Sequence, residues 1–141
     1  MGSIIGEIFT AVLAVCWLLT AVYSPEVIRH NDLRSAWGYN NVCVGLDTAP
    51  ARQVGAVAWV FVAGVTFEYV RVVIARQRAL RKEGKIRGPP ALGRFFAACH
   101  LSYGLGTAVF ILCFVIPPDK DLYGHTRPFL AFIATRYAAD T

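Results

Sequence analysis

Long apolar segments alternate with short polar segments along this chain. Three apolar stretches, residues 4–23, 54–75 and 95–116, contain 20 to 22 residues each and few charges. A helix of about 20 residues is roughly 30 Å long, which matches the hydrocarbon thickness of a bilayer. We therefore predict an all-α membrane protein, a single helical domain over residues 1–141, with three transmembrane helices at about 4–23, 50–80 and 92–116.

The second predicted span extends beyond its apolar stretch at both ends. Asp47, Thr48 and Pro50 precede it and are typical of a helix start. No proline lies between Ala51 and Glu83, and Gly84 is well placed to end the helix. A helix from about Thr48 to Glu83 is longer than a bilayer is thick, so we expect its last turns to project into water.

A short helix is predicted at about 25–36, lying flat along the membrane interface. Ser24, Pro25 and Glu26 resemble a helix start, and Trp37 and Tyr39 close the segment with the amphipathic aromatics found at headgroup level. The short apolar run 42–46 that follows has the length of a packed connector.

The last apolar segment, at about 128–139, has 12 residues and includes Arg136. As a helix it reaches roughly 18 Å, which is too short for an ordinary span. We predict an interfacial helix there, with a truncated fourth span as the alternative. His125, in the polar stretch before it, is expected to be a solvated loop histidine.

Composition supports a membrane location. Apolar residues make up 56% of the chain and charged residues 16%, whereas soluble domains have about 45–50% and 25%. The net charge of +5 is concentrated beside a predicted span, so it favours anionic lipid headgroups over nucleic acid as the partner. The four cysteines lack metal-binding spacing, and we expect neither a zinc site nor a disulfide framework.

Residues 76–94 carry seven Lys and Arg residues against one acid, Glu83. Because basic loops stay on the cytoplasmic side, we place this basic loop and the N-terminus on the cytoplasmic, matrix or stromal side. Arg71 is expected to pair with Glu68 one helical turn earlier. The residues predicted to contact lipid headgroups or a partner are Arg71, Arg76, Arg78, Arg81, Lys82, Lys85, Arg87 and Arg94.

His100 is the one candidate cofactor ligand inside a predicted span. A hydrogen bond between helices, haem b ligation and a quinone contact compete for its imidazole, and the hydrogen bond is the preferred interpretation. A haem with two histidine ligands would need the second histidine from another chain. No metal site and no bound cofactor are otherwise predicted.

Three small residues, Ala98, Ser102 and Gly106, follow a four-residue spacing on the third span. Such a stripe lets another helix approach closely, and it predicts helix packing.

Three spans enclose little interior, and the sequence has no recognisable catalytic, phosphate-binding or transporter motif. We therefore expect a non-enzymatic accessory subunit of a larger membrane complex, with other membrane subunits and anionic lipids as partners. In size, charge and number of spans the chain resembles accessory subunits of mitochondrial respiratory complexes and ATP synthases. The mitochondrial inner membrane is the expected location, with a plastid or bacterial inner membrane as alternatives. The other hypotheses are a haem- or quinone-binding anchor that uses His100, and a free-standing lipid- or solute-handling protein.

Overall fold

The computed structural model describes residues 2–40 and 42–140, and all of the secondary structure in this part of the chain is helical, without a strand. Six α-helices and two 3₁₀ turns follow one another. Their bounds are α1 Gly2–Tyr23, α2 Pro25–Arg29, α3 Asp32–Trp37, the first 3₁₀ turn Val42–Leu46, α4 Ala51–Lys82, α5 Pro90–Val109, the second 3₁₀ turn Phe110–Phe114, and α6 Leu122–Asp140.

Three helices are long and apolar enough to cross a membrane: Ile5–Tyr23, Ala51–Lys82 and Pro90–Phe114. They correspond to the three predicted spans. The second is the longest at 32 residues, or about 48 Å, and it ends as its sequence predicts. Gly84 adopts a left-handed φ of 72°, and the Lys85 amide donates to the Leu80 carbonyl at 2.9 Å, which is the hydrogen bond of a glycine-terminated helix.

The single helix predicted over residues 25–36 is divided into α2 and α3. The Asn31 side chain causes the break, because it accepts a hydrogen bond from the Arg34 amide at 2.8 Å and caps α3. Ser24, the predicted cap, makes no such side-chain bond. The segment 42–46 is a buried connector, as expected.

The last helix is longer than predicted. It begins at Leu122 because Asp121 accepts a hydrogen bond from the Gly124 amide at 2.8 Å and caps the first turn. With 19 residues it is about 28 Å long, and it packs against α5. Arg136 is accommodated by bonds to Tyr103 and Asp140.

The core lies where four helical elements meet. Five aromatic rings from α1, α4, the second 3₁₀ turn and α6 contact one another, with centroid separations between 4.1 and 6.5 Å. The Trp59 indole, 1% exposed, also donates to the Thr107 carbonyl at 2.6 Å. These contacts hold α4 against the end of α5. The five rings are Phe9, Trp59, Phe110, Phe114 and Phe132.

Side chains of α1 fix the connection between α3 and α4. Trp17 Nε1 donates to the Val42 carbonyl at 3.1 Å, and Thr20 Oγ1 donates to the Gly45 carbonyl at 3.0 Å. Gly55 of α4 adds to this packing, because a Cβ there would lie 2.6 Å from the Phe114 ring. The two 3₁₀ turns are therefore brought to the same end of the bundle, opposite the basic loop.

Candidate functional site

A group of polar side chains is buried at the end of the bundle opposite the basic loop. We call it the polar cluster, and its members are Asp47, Thr48, Arg52, His125 and Thr126. The side chains of His125 and Asp47 are 1% and 5% exposed, and His125 Nε2 lies 3.4 Å from Asp47 Oδ1. Charged side chains are rarely buried so completely unless they interact with one another.

Three elements bring the polar cluster together. Asp47 and Thr48 follow the first 3₁₀ turn, Arg52 lies in the first turn of α4, and His125 lies in the first turn of α6. The positions of the two connections are set by hydrogen bonds. α1 holds the first connection, and Cys113 of the second 3₁₀ turn donates from Sγ to the His125 carbonyl at 3.2 Å.

The protonation state of His125 follows from its neighbours. Its Nδ1 lies 2.8 Å from the Ile116 carbonyl, and because a carbonyl can only accept, Nδ1 carries a proton. In the neutral ring Nε2 then has a lone pair that faces the Asp47 carboxyl. Two acceptors repel one another unless a proton lies between them. At 3.4 Å the two side chains are in contact but are not hydrogen-bonded to one another within the described residues, and the repulsion between two acceptors favours a proton on one of them.

Burial and nearby charges shift the pKa values of both residues in the directions that favour a proton on Asp47. Burial raises the pKa of Asp47 to about 7; the Asp119 carboxylate adds to the rise, and the Arg52 guanidinium opposes it. Burial lowers the pKa of His125, and Arg52 lowers it further, against the hydrogen bonds to Ile116 and Cys113. Near neutral pH, Asp47 thus binds a proton more readily than an ordinary carboxyl does.

Several polar atoms of the cluster have no hydrogen-bond partner within the described residues. Buried polar groups usually do have partners, in the protein or in ordered water. Donors and acceptors are both represented, so these atoms have the hydrogen-bonding capacity to hold ordered water. The atoms concerned are Asp47 Oδ1 and Oδ2, Thr48 Oγ1, Arg52 Nε and Nη2, His125 Nε2 and Thr126 Oγ1.

The expectation of a solvated His125 is wrong, because the residue is fully buried in α6. The polar stretch before Pro128 suggests a loop, but the spacing Asp121-x-x-Gly124 is that of a helix cap, and it would have placed His125 on a helix. Nothing in the local sequence pairs His125 with Asp47. Sequence reasoning treated Asp47 and Thr48 as helix-start residues and did not select Arg52.

The predicted His100 lies at the other end of the bundle, far from the polar cluster in the fold. It is 4% exposed, stacks on Phe96 at 4.2 Å, and its Nδ1 lies 3.1 Å from the Phe96 carbonyl of the same helix. This bond is within α5, so it is not the preferred bond between helices. His100 Nε2 is the nitrogen left to act as an acceptor or a metal ligand.

His100 lines a cleft of about 500 Å³, which we call the basic-end cleft. Arg76 and Arg81 of α4 form its cationic edge, and Phe95 and Phe96 of α5 are part of its apolar wall. The last residues of α6 close one side. A cleft with this lining fits an amphipathic molecule that carries an anionic or polar head.

Most of the residues predicted for lipid or partner contact are exposed around this end. Arg71 pairs with Glu68 at 2.7 Å, as predicted, and Lys85 pairs with Glu83 at 2.8 Å. Arg81 differs from the others because it is half-buried and donates to the Gly88 and Pro89 carbonyls at 3.3 Å. The exposed ones are Arg71, Arg76, Arg78, Lys82, Lys85, Arg87 and Arg94.

The small-residue stripe is divided between two environments. Gly106 is buried, and a Cβ there would contact Thr135 of α6, so it permits the close approach of α5 and α6. Ala98 and Ser102 are exposed on the surface of α5.

A metal site built from three or more His, Cys, Asp or Glu side chains is not found within residues 2–40 and 42–140. His30 and His125 lie outside the basic-end cleft. A haem bound there by two histidines would therefore need its second ligand from another chain.

Comparison with protein-family models, with curated proteins and with solved structures gives no match. Functional inference therefore depends on the residues of this chain.

Proposed function

We propose that this chain is a non-catalytic accessory subunit of a larger membrane assembly, and that its basic end binds anionic lipid headgroups and a partner subunit. The observation that carries the proposal is the charge distribution. Seven exposed Arg and Lys residues surround one end of a bundle whose long helices present apolar side chains outward. Each basic side chain near an anionic membrane surface contributes about 1 kcal/mol to binding.

The packing of the bundle supports a structural role over a conducting one. The polar cluster and the basic-end cleft lie at opposite ends, and the five aromatic rings fill the space between them. A path for ions or solutes through the bundle would have to open this aromatic core. A structural subunit contacts its partners through its outer surface, and the aromatic core stays closed.

The location and orientation proposed from the sequence are retained. We place the chain in the mitochondrial inner membrane, with a plastid or bacterial inner membrane as alternatives, and the basic loop on the matrix, stromal or cytoplasmic side. In this orientation the polar cluster lies near the opposite membrane surface, because α4 runs from one end of the bundle to the other.

A native gel of gently solubilised membranes, followed by mass spectrometry of the band, tests the proposal. We expect the chain to migrate with other subunits in a large complex. A variant with Arg76, Arg78, Lys82 and Lys85 changed to Gln should dissociate from that complex. Arg81 is left intact, because its hydrogen bonds shape the loop.

The matched control changes three exposed basic residues at the opposite end to Gln, Arg29, Lys120 and Arg127, and is compared with the variant in which Arg76, Arg78 and Lys82 are changed to Gln. Arg34 is left intact, because its side chain donates to the Ile28 and Arg29 carbonyls. The two variants lose the same charge, so a difference between them reports the position of the charge. Migration of the wild-type chain as a small particle would overturn the proposal. It would favour a free-standing lipid- or solute-handling protein.

A second candidate function is a haem- or quinone-binding anchor, and the position of His100 in the basic-end cleft favours it. With Nδ1–H donating to Phe96, Nε2 is an acceptor, as a haem ligand or the partner of a quinol hydroxyl must be. Purified complex should then show a haem spectrum or bound quinone that His100→Ala removes and Cys99→Ser retains. An unchanged spectrum and quinone content in His100→Ala would eliminate this function.

A further inference from the structure

Three arginines line another cavity at the basic end, between the end of α4 and the start of α5. We call this cavity the arginine pocket. It has a volume of about 290 Å³, and its polar lining consists of Gln77, Arg78, Arg81 and Arg94. Gln77 and Arg81 also line the basic-end cleft, whereas Arg78 and Arg94 do not. None of the described residues that line the arginine pocket is acidic.

The positive charge of the arginine pocket is not balanced within the described residues. No described acidic side chain forms an ion pair with any of its three arginines. Like charges that line one cavity repel one another, and an anion between them replaces this repulsion with attraction. Guanidinium groups bind phosphate oxygens through pairs of parallel hydrogen bonds. The lining of the pocket therefore suits a phosphate group.

Arg81 is already held in place within the pocket. Its Nη1 donates to the Gly88 and Pro89 carbonyls at 3.3 Å. A Cβ at Gly93 would lie 3.0 Å from Arg81 Nε, so the glycine lets the first turn of α5 pack closely against this side chain. Nε is buried and has no hydrogen-bond partner within the described residues, although buried donors usually have one. A cation fixed in this way loses little conformational freedom when a ligand binds.

Exposed apolar side chains continue from the pocket towards the middle of the third span. Leu101 and Leu105 follow Ala97, which lines the pocket, at the four-residue spacing of one helix face. The two leucines are 52% and 61% exposed. Arg94 directly precedes the apolar stretch 95–116, so the pocket lies where the headgroups of a bilayer are expected. A molecule with a phosphate in the pocket can therefore lay an apolar chain along the leucines.

We propose that the arginine pocket binds one anionic phospholipid, with the lipid phosphate held by the three guanidinium groups. The acyl chains of this lipid lie along Leu101 and Leu105. The inference rests on the proposed function, because it assigns one particular site to the anionic lipids expected at the basic end. It differs from attraction to a charged surface, since it requires particular arginines and not only their charge.

The test measures binding of short-chain phosphatidylglycerol to the detergent-solubilised full chain, at low salt and at about 0.5 M salt, where separated exposed charges are screened. The pocket variant changes Arg78 and Arg94 to Gln and leaves Arg81, because its hydrogen bonds shape the loop. The matched control changes Lys82 and Arg87 to Gln. These two residues are exposed and line neither cavity. Both variants lose two positive charges.

The salt dependence separates the pocket from the proposed function. At low salt both variants should bind the lipid more weakly than wild type, as the proposed function requires. At high salt the control should bind like wild type, whereas the pocket variant should lose about tenfold in affinity per guanidinium removed. Equal affinities of the two variants at high salt would overturn the pocket and leave the proposed function in place. Absence of lipid binding by wild type at low salt would contradict both.

Inorganic phosphate distinguishes a lipid from a free phosphate as the occupant. The wild-type chain should bind the lipid more tightly than inorganic phosphate. Changing Leu101 and Leu105 to Ala should weaken binding of the lipid alone, and both leucines are exposed, so the core stays intact. Equal affinity for the two ligands, or unchanged lipid binding in the leucine variant, would overturn the assignment to a lipid.

Discussion

The two ends of the bundle handle charge in opposite ways. At the basic end most of the charged side chains are exposed, and Arg76 and Arg81 line an open cleft. At the other end a few charged and polar side chains are buried together, and Asp47 and His125 contact one another. Exposed charges interact with whatever approaches the surface, whereas buried charges depend on their immediate partners. We therefore expect substitutions at the basic end to change binding and substitutions in the polar cluster to change folding.

The largest difference is expected between two histidine substitutions. His125→Ala removes the partner of a buried carboxyl and should lower the free energy of unfolding by about 3 kcal/mol. His100→Ala loses a stacking contact beside an open cleft and should cost about 1 kcal/mol. Thermal unfolding of both variants in the same detergent measures the difference. An equal or larger loss for His100→Ala would contradict the contrast between the two ends.

The second prediction concerns pH and Asp47. Its pKa is raised from 3.8 to about 7 in the folded state, so the folded state binds the extra proton more tightly than the unfolded state. The resulting stabilisation is complete below pH 3.8 and is lost as the pH rises through about 7. Asp47→Asn lacks this dependence. Its stability relative to wild type should therefore increase by about 2 kcal/mol between pH 5 and pH 8.

The ionisable groups near Asp47 also affect how the free energy of unfolding depends on pH. Arg52 and Asp119 are the other charged groups near Asp47, and His125 acts in the opposite direction, because its lowered pKa favours folding as the pH rises towards 6.5. Thermal unfolding at several pH values, with Glu68→Gln as the exposed control, measures the dependence. A constant difference between Asp47→Asn and wild type would show that Asp47 titrates normally.

The third prediction separates folding from binding at the basic end. Changing Arg76, Arg78, Lys82 and Lys85 to Gln should alter the free energy of unfolding by less than about 1 kcal/mol. Affinity of the detergent-solubilised protein for added anionic lipid should fall by roughly fivefold per residue, and high salt should reduce the difference between variant and wild type. The amount of anionic lipid retained by each protein at two salt concentrations measures this. Unfolding of the variant would mean that the basic end is structural.

The smallest effect is expected for the exposed pair of Glu68 and Arg71. Their side chains are 65% and 74% exposed, so Glu68→Gln should cost less than about 0.5 kcal/mol in detergent. A chemical unfolding curve is sufficient to check it. A loss of stability as large as that of His125→Ala would indicate that another subunit covers the pair. This surface would then be part of the contact area.

Hydropathy and local capping predict the long helices well because both depend on neighbours in the sequence. The run of apolar residues locates the three long helices, and Gly84 ends α4 as its conformational freedom suggests. Side-chain hydrogen bonds to nearby backbone amides explain the two errors in the predicted helix bounds. Asn31 divides a predicted helix by accepting an amide hydrogen bond, and Asp121 starts α6 earlier than the apolar run does.

The polar cluster could not be predicted in the same way. Asp47 and His125 are far apart in the sequence, and each resembles an ordinary residue of a helix start or a loop. They meet because α1 positions the first connection and α6 folds back along α5. His100 was identified by its place in an apolar segment, but its cleft depends on how α4, α5 and α6 pack.

The hydrogen bond between Trp59 and Thr107 gives the molecule an internal reporter. Of the three tryptophans, only Trp59 has its ring in the aromatic core, while Trp37 is 40% exposed. Its indole proton is held in a 2.6 Å bond, and it can exchange with deuterated water only when the core opens. The exchange rate of this one proton thus measures how often α4 and α5 separate, even while the chain remains within a larger assembly.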